Sequence, residues 1–319
     1  MFEDYQAPLL YRNPHLAAII PNRLRKVKLK PTKRITIETH DDDFLDIDLV
    51  SGQNKRAAIL VHGLEGSSQS TYISGMAAKL SADNFDVICL NMRGCSGRPN
   101  HQFSSYHSGK TDDLNLVVQY FESTYESLVL IGFSLGGNMV LKYAGEQNTA
   151  LNPCVKSVVG ISVPLDLAGS CDTLSLRHNW IYLNRFLTQL KAKAKQKVQD
   201  FPAFELDASK LDHVKDFRAF DDFYTAPAHG FENASDYYAK CSAKQFLKGI
   251  QIPALIINAQ DDTFLSETCY PIASELNGYI TYLNPKHGGH VGFAQDLLMK
   301  KPFWSEVTVS QYLQSTMSF

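Results

Sequence analysis

The chain has 319 residues, 44% hydrophobic and 20% charged, a composition that excludes fibre and disorder and is enough to bury one large core or two modest ones. A formal net charge of -2, with no long single-sign block, argues against nucleic acid or a strongly acidic substrate and favours a neutral or mixed small molecule. Met1-Phe2-Glu3-Asp4 lacks the basic and apolar regions of a secretory signal, and the apolar stretch 16–20 falls short of the roughly 20 residues that cross a bilayer. A cytoplasmic protein without stable membrane insertion is expected. Six cysteines at irregular spacing, with no C-x-x-C pair, imply neither a zinc knuckle nor a disulfide framework.

In chain order, the basic stretch 23–30 reads as a solvated strand before the core, with peripheral contact to anionic lipid as its alternative. Residues 35–38 and 44–50 alternate apolar and polar positions, predicting an antiparallel edge hairpin. From residue 57 the texture changes to continuous apolar runs at 57–61, 86–90, 128–131, 155–163 and 254–257, which are strands covered on both faces. Helical spacing at 72–80, 112–121 and 137–144 separates them, so the β-α unit repeats into a mainly parallel, doubly wound sheet. One interruption breaks the repeat. Residues 164–252 are far more than the dozen or so a crossover needs, and Trp180, Leu183, Phe186, Leu187 and Leu190 recur at helical spacing. The expected organisation is a core of 1–163 and 253–319 with a helical cap, 164–252, inserted over the carboxyl edge of the sheet.

Gly132-Phe133-Ser134-Leu135-Gly136 lies between an apolar run and a helical pattern, the strand, sharp turn and helix of a nucleophile elbow. Ser134 is therefore the candidate nucleophile, and its weak hydroxyl needs a histidine to take its proton. On such a sheet the partners follow in the order serine, acid, histidine. Of the ten histidines only His287 and His290 lie beyond the last plausible acid; the paired glycines before His290 permit a tight loop that returns to the elbow, which favours His290. Asp261 and Asp262 follow the strand 254–257, and one of them is the expected orienter, with Asp166 as positional rival. The residues alone leave Asp261, as a loop carboxylate or helix cap, and Asp262 both open.

An oxyanion requires donors aimed at it in advance. The Leu135 N–H opens the elbow helix, and the second donor is expected from the loop 62–68, at Leu64, because Gly63 lets the chain bend towards the site. His62 is expected to support that loop by hydrogen bonds. His107 and Asp112 fit an H-x-x-x-x-D pattern, but Asp112 or Thr111 reads instead as a helix cap. The glycine-rich loop 91–97 lacks the lysine of a phosphate loop and is expected to be shaped near the site.

Asn13-Pro14-His15-Leu16, His62-Gly63-Leu64-Glu65-Gly66, the loop 91–97, the elbow, Thr225-Ala226-Pro227-Ala228-His229-Gly230-Phe231, Asp261-Asp262 and Gly288-Gly289-His290-Val291-Gly292-Phe293 together resemble the YheT-like branch of α/β-hydrolases across almost the whole chain. The resemblance implies Ser134, Asp262 and His290 as a triad and carboxylic-ester hydrolysis without metal or organic cofactor. Asp262 occupies the aspartate of the G-x-x-D-x-hydrophobic pattern of such proteins. Eukaryotic members look like lipid esterases or medium-chain acyltransferases, so acyl transfer to an alcohol, lipase action and phospholipase action are the alternatives to hydrolysis of short- to medium-chain acyl esters. A binding scaffold that has lost turnover is the non-enzymatic reading.

Overall fold

The apolar runs become strands because nothing along them offers water a face. The computed structural model describes residues 2–204 and 206–317 and orders eight strands β1-β2-β4-β3-β5-β6-β7-β8. β1 (Lys33–Glu38) and β2 (Phe44–Val50) form the expected antiparallel hairpin at one edge, and β2 also pairs antiparallel with β4 (Asp86–Asn91). β3 (Arg56–Val61), β5 (Ser127–Phe133), β6 (Val155–Ile161), β7 (Ala254–Ile257) and β8 (Ile280–Leu283) continue as parallel neighbours.

Alternation along each strand divides the interior in two. Ile59 and Val61 of β3 face the cluster that holds Leu114, Val117, Met139 and Val140, from α3 (Thr111–Phe121) and α4 (Leu135–Gln147). Ala58 and Leu60 face Ala17, Ile73, Met76, Val309 and Leu313, from α1 (Pro14–Leu24), α2 (Thr71–Ala82) and α10 (Trp304–Thr316). Both faces are dry, as the runs required.

Between β6 and β7 the chain forms α5 (Leu167–Leu174), α6 (Trp180–Asp200), α7 (Phe217–Phe220), a π-turn at Asp221–Thr225, α8 (Ala226–His229) and α9 (Ala234–Cys241). These helices have their own small core around Leu187, Ala194, Leu211 and Phe217. Trp180 departs from the expected apolar stripe of α6: it is exposed, while Leu183, Phe186, Leu187 and Leu190 pack inward.

The basic stretch is not a strand. Its first residues end α1 and the rest is irregular chain up to β1. Arg25 is withdrawn from any surface role, because its guanidinium pairs through two oxygens with buried Glu306 of α10. Nor do Thr111 or Asp112 cap α3, which starts without a side-chain cap; Asp112 instead pairs with Lys110 at 2.6 Å.

Candidate active site

β5 ends at Phe133 and α4 begins at Leu135, so a single residue, Ser134, makes the reversal. Its φ of 53° and ψ of -122° are costly for a residue with a side chain and persist only where the surroundings enforce them. The glycines are what allow it. A Cβ at Gly132 would run into the backbone of Gly136, and one at Gly136 into the carbonyl of Val61. The Ser134 N–H still continues the sheet, donating to the Ile161 carbonyl at 2.8 Å.

The histidine comes from the loop after β8. Gly289 at φ 54° and Val291 at φ 56° fold that loop back, a costly conformation for a β-branched valine, and the Val291 N–H is held by the Ser162 hydroxyl at 3.0 Å. His290 Nε2 lies 2.9 Å from Ser134 Oγ across 156 residues of sequence. On the other side of the ring, His290 Nδ1 lies 2.9 Å from Asp262 Oδ2 and 3.1 Å from Oδ1. The Asp262 side chain is fully buried, and its Oδ1 also accepts from the Phe264 N–H at 3.0 Å. The Phe264 ring stacks on the imidazole at 4.0 Å, fixing its plane. Asp262 thus sits where an acid would set Nδ1–H as the tautomer and leave Nε2 lone-pair outward.

The rivals have other partners. His287 Nδ1 faces Asp261 Oδ2 at 3.1 Å, and Asp261 Oδ1 accepts from the Gly289 N–H at 2.8 Å. Asp261 therefore pins the histidine loop rather than capping a helix, and its burial raises its pKa above the usual carboxylate range. Asp166 caps α5 at Gly169 and accepts from Thr268 Oγ1 at 2.5 Å.

The loop after β3 is tied on both sides of Leu64. The Gly63 N–H donates to Tyr72 OH at 3.1 Å, and the Glu65 N–H donates to Tyr106 OH at 2.8 Å. Buried His62 bonds the Gly63 carbonyl through Nδ1 at 2.7 Å and receives the Met92 N–H on Nε2 at 3.1 Å; burial lowers its pKa to about 4 and keeps it neutral. Among the described residues, neither the Leu64 nor the Leu135 N–H has an acceptor. Tyr72, Tyr106, Ser162 and Phe264 were not selected from sequence. Each acts from a distant element, and only Ser162, placed directly after a core strand, carried a positional signal.

Ser134 opens onto two cavities. One, of about 420 Å³, is lined by Leu135 and by Leu167, Leu174, Leu190, Phe217 and Phe220 of the segment between β6 and β7. The loop 91–97 contributes Arg93, Gly94 and Gly97 to its wall. Asp221 also lines it, bonded to Thr225 and Tyr238 at 2.6 Å each, with its pKa raised by burial to about 6. His107 and His229 stand ring to ring at 4.5 Å nearby, and burial holds both below the ordinary histidine value. The second cavity, of about 470 Å³, is lined by His290, Tyr182, Phe264 and the residues around Tyr72.

A family model for the alpha/beta hydrolase fold matches residues 58–297. YheT of Escherichia coli (strain K12), an esterase by name, is 32% identical over 95% of this chain and 91% of its own length. Phospholipase ABHD3 of Bos taurus is 25% identical over 88% of this chain and 70% of its own. Among solved structures, the Pyrococcus furiosus esterase Pf2001 superposes with a TM-score of 0.58, at 15% identity, over 90% of this chain and 93% of that one. The chain belongs to the α/β-hydrolase family. Within it, the chain falls in the YheT-like branch and is a hydrolase of the esterase and lipase type. No helix among the described residues is long and apolar enough to cross a membrane.

Proposed function

We propose that the chain is a serine carboxylic-ester hydrolase acting on short- to medium-chain acyl esters. The observation that carries the reading is the unbroken line from Asp262 through His290 to Ser134, with gaps of 2.9 Å on each side of the imidazole. Ser134 Oγ attacks the ester carbonyl while His290 Nε2 takes its proton, and Asp262 stabilises the imidazolium so formed. The Leu135 and Leu64 N–H groups donate to the tetrahedral oxyanion; one such donor is worth about 100- to 1,000-fold in turnover. His290 then protonates the departing alkoxide, leaving an acyl-enzyme that water resolves by the same steps in reverse.

Segment 164–252 serves as the cap in this reading. Its Leu167, Leu174, Phe217 and Phe220 supply an apolar wall to the cavity at Ser134, and about 420 Å³ suits a short or medium acyl chain. Labelling with a fluorophosphonate, abolished in Ser134→Ala, tests the nucleophile. A series of p-nitrophenyl esters tests the acyl length, with a sharp optimum expected. Labelling that persists in Ser134→Ala refutes the assignment.

A second reading, lipase or phospholipase action at a lipid surface, draws on the names of ABHD3 and of a yeast relative, a monoacylglycerol lipase 26% identical over 79% of this chain. The observation in its favour is local: Leu176, Trp180 and Ile181 are each at least half exposed, and Ile181 lines the second cavity. Turnover that rises sharply when the ester is presented in vesicles supports it, and turnover indifferent to the interface opposes it. Transfer of the acyl group to an added alcohol would use the same machinery with a different acceptor, read as the ratio of ester to acid product.

A further inference from the structure

The two cavities at Ser134 differ in which half of the site they contain. His290 lines the second and not the first, whereas Leu135 lines the first and not the second. The imidazole that accepts the serine proton must pass it to the leaving alkoxide, so the alcohol half of an ester lies on the His290 side. The acyl half is left with the first cavity and its wall of leucine and phenylalanine.

The cations of the two cavities differ as well. In the first, each is engaged: Arg93 with Asp113 and Asp41, Arg98 with Asp46, Lys193 with Glu65, and Lys197 with the carbonyls of Asn100 and Gln102. The second cavity is lined by Arg23, near the end of α1, and Arg185, on α6. Both are exposed. Among the described residues neither has an ion-pair or hydrogen-bond partner. The carboxylate on that wall, Glu65, is already committed, with Oε1 accepting from Tyr106 OH at 2.7 Å and Oε2 pairing with Lys193 at 2.9 Å. The wall also carries His290 and the uncharged polar side chains of Asn22, Gln69, Ser70 and Thr71. Two guanidinium groups without a counter-charge, beside neutral donors and acceptors, make a site for an anion, and arginine suits the planar oxygens of carboxylate and phosphate.

We propose that the second cavity is the subsite for the alcohol portion of the substrate and that this portion is anionic, its phosphate or carboxylate group held by Arg185 and Arg23. The proposal rests on the serine-esterase reading and adds to it the chemical class of the leaving group.

The test uses three butanoyl esters with one acyl chain and three alcohols: glycerol, glycerol 3-phosphate and glyceric acid. Wild-type kcat/KM is expected to favour at least one charged ester over the glycerol ester by about tenfold or more, and the better of the two identifies the anion. Raising the salt to about 1 M should shrink that ratio, because exposed charges are screened beyond about 3 Å there. In the double variant Arg23→Gln/Arg185→Gln the ratio should fall to within about threefold of unity. Lys156→Gln, an exposed charge at the far end of β6, should leave it as in the wild type. Equal wild-type rates on all three esters, or an anion preference that the double variant retains, overturn the proposal. If none of the three is cleaved and Ser134 also escapes fluorophosphonate labelling, the esterase reading itself fails.

Discussion

The carboxyl edge of the sheet and the helical segment 164–252 facing it are built by different rules. Beside the serine, two polar groups of the edge are closed by their neighbours: Asn258 accepts the Val163 N–H at 2.7 Å and returns its amide to the Val163 carbonyl at 3.0 Å, and the Asp262 carboxylate is filled by His290 and Phe264, although Asn284 Oδ1, just past β8, is buried without a partner. In the segment, α7 and α8 have four residues each around a π-turn, and buried His229 Nε2 has no partner. Satisfied hydrogen bonds hold a geometry to fractions of an ångström, whereas short helices over a mixed cavity are free to differ in shape. In the proposed reading the chemistry falls to the edge, and the segment, together with Arg23 of α1, shapes the cavities that select the substrate.

The sharpest way to break this division is at the proposed triad. Ser134→Ala and His290→Ala should each lower ester turnover by about four or more orders of magnitude, while His287→Ala, whose ring faces Asp261, should change it little. Equal losses at the two histidines in steady-state assays would undo the assignment. Next is the elbow itself: Gly136→Ala drives a methyl group into the Val61 carbonyl and should cost at least about 3 kcal/mol of stability, read as a lower denaturant midpoint.

Acid should weaken both regions. Folded His62 and His229 each titrate near about 4, below the unfolded value of about 6.5. Between those limits the unfolded chain binds protons that the folded one refuses, so stability falls as pH falls, by on the order of 2 kcal/mol per histidine at pH 5. Asp221 runs the other way, because its folded value of about 6 lies above the unfolded one, so its protonation below pH 6 offsets part of the loss. A melting temperature that is flat or rising from pH 7 to 5 contradicts this balance, and His229→Leu should reduce the slope.

The smallest expected effect lies where the two regions join. Lys193 of α6 pairs with Glu65 at 2.9 Å, next to the Leu64 N–H. Lys193→Met should lower kcat by on the order of tenfold, a fraction of an oxyanion donor's worth, with KM little changed and Lys193→Arg restoring the rate. A fall in kcat/KM carried wholly by KM would assign the pair to substrate binding instead.

Most of the edge was legible because its signals are local. Strands buried on both faces must be continuous apolar runs, and the glycines of the elbow answer a collision between near neighbours, so β3 to β7 and Ser134 stand where the sequence predicts them. The basic stretch misled because its charge count says nothing of partners: Arg25 is taken by Glu306, 281 residues away. Likewise the acidic first turn of α3 reads as a cap, yet Asp112 answers Lys110. Trp180 fits an apolar stripe by spacing and still faces outward, since periodicity cannot say which side of a helix a neighbour will cover.

By itself the sequence determined the sheet, the strained serine and the short set of acids and histidines able to serve it, because each depends on residues that are adjacent or periodic along the chain. Tertiary structure alone decided how closely His290, already favoured by its glycines, approaches the serine, which tyrosines brace the Leu64 loop, and that Arg23 and Arg185 share one cavity. Those outcomes depend on where distant segments come to rest, and no local preference encodes a distance.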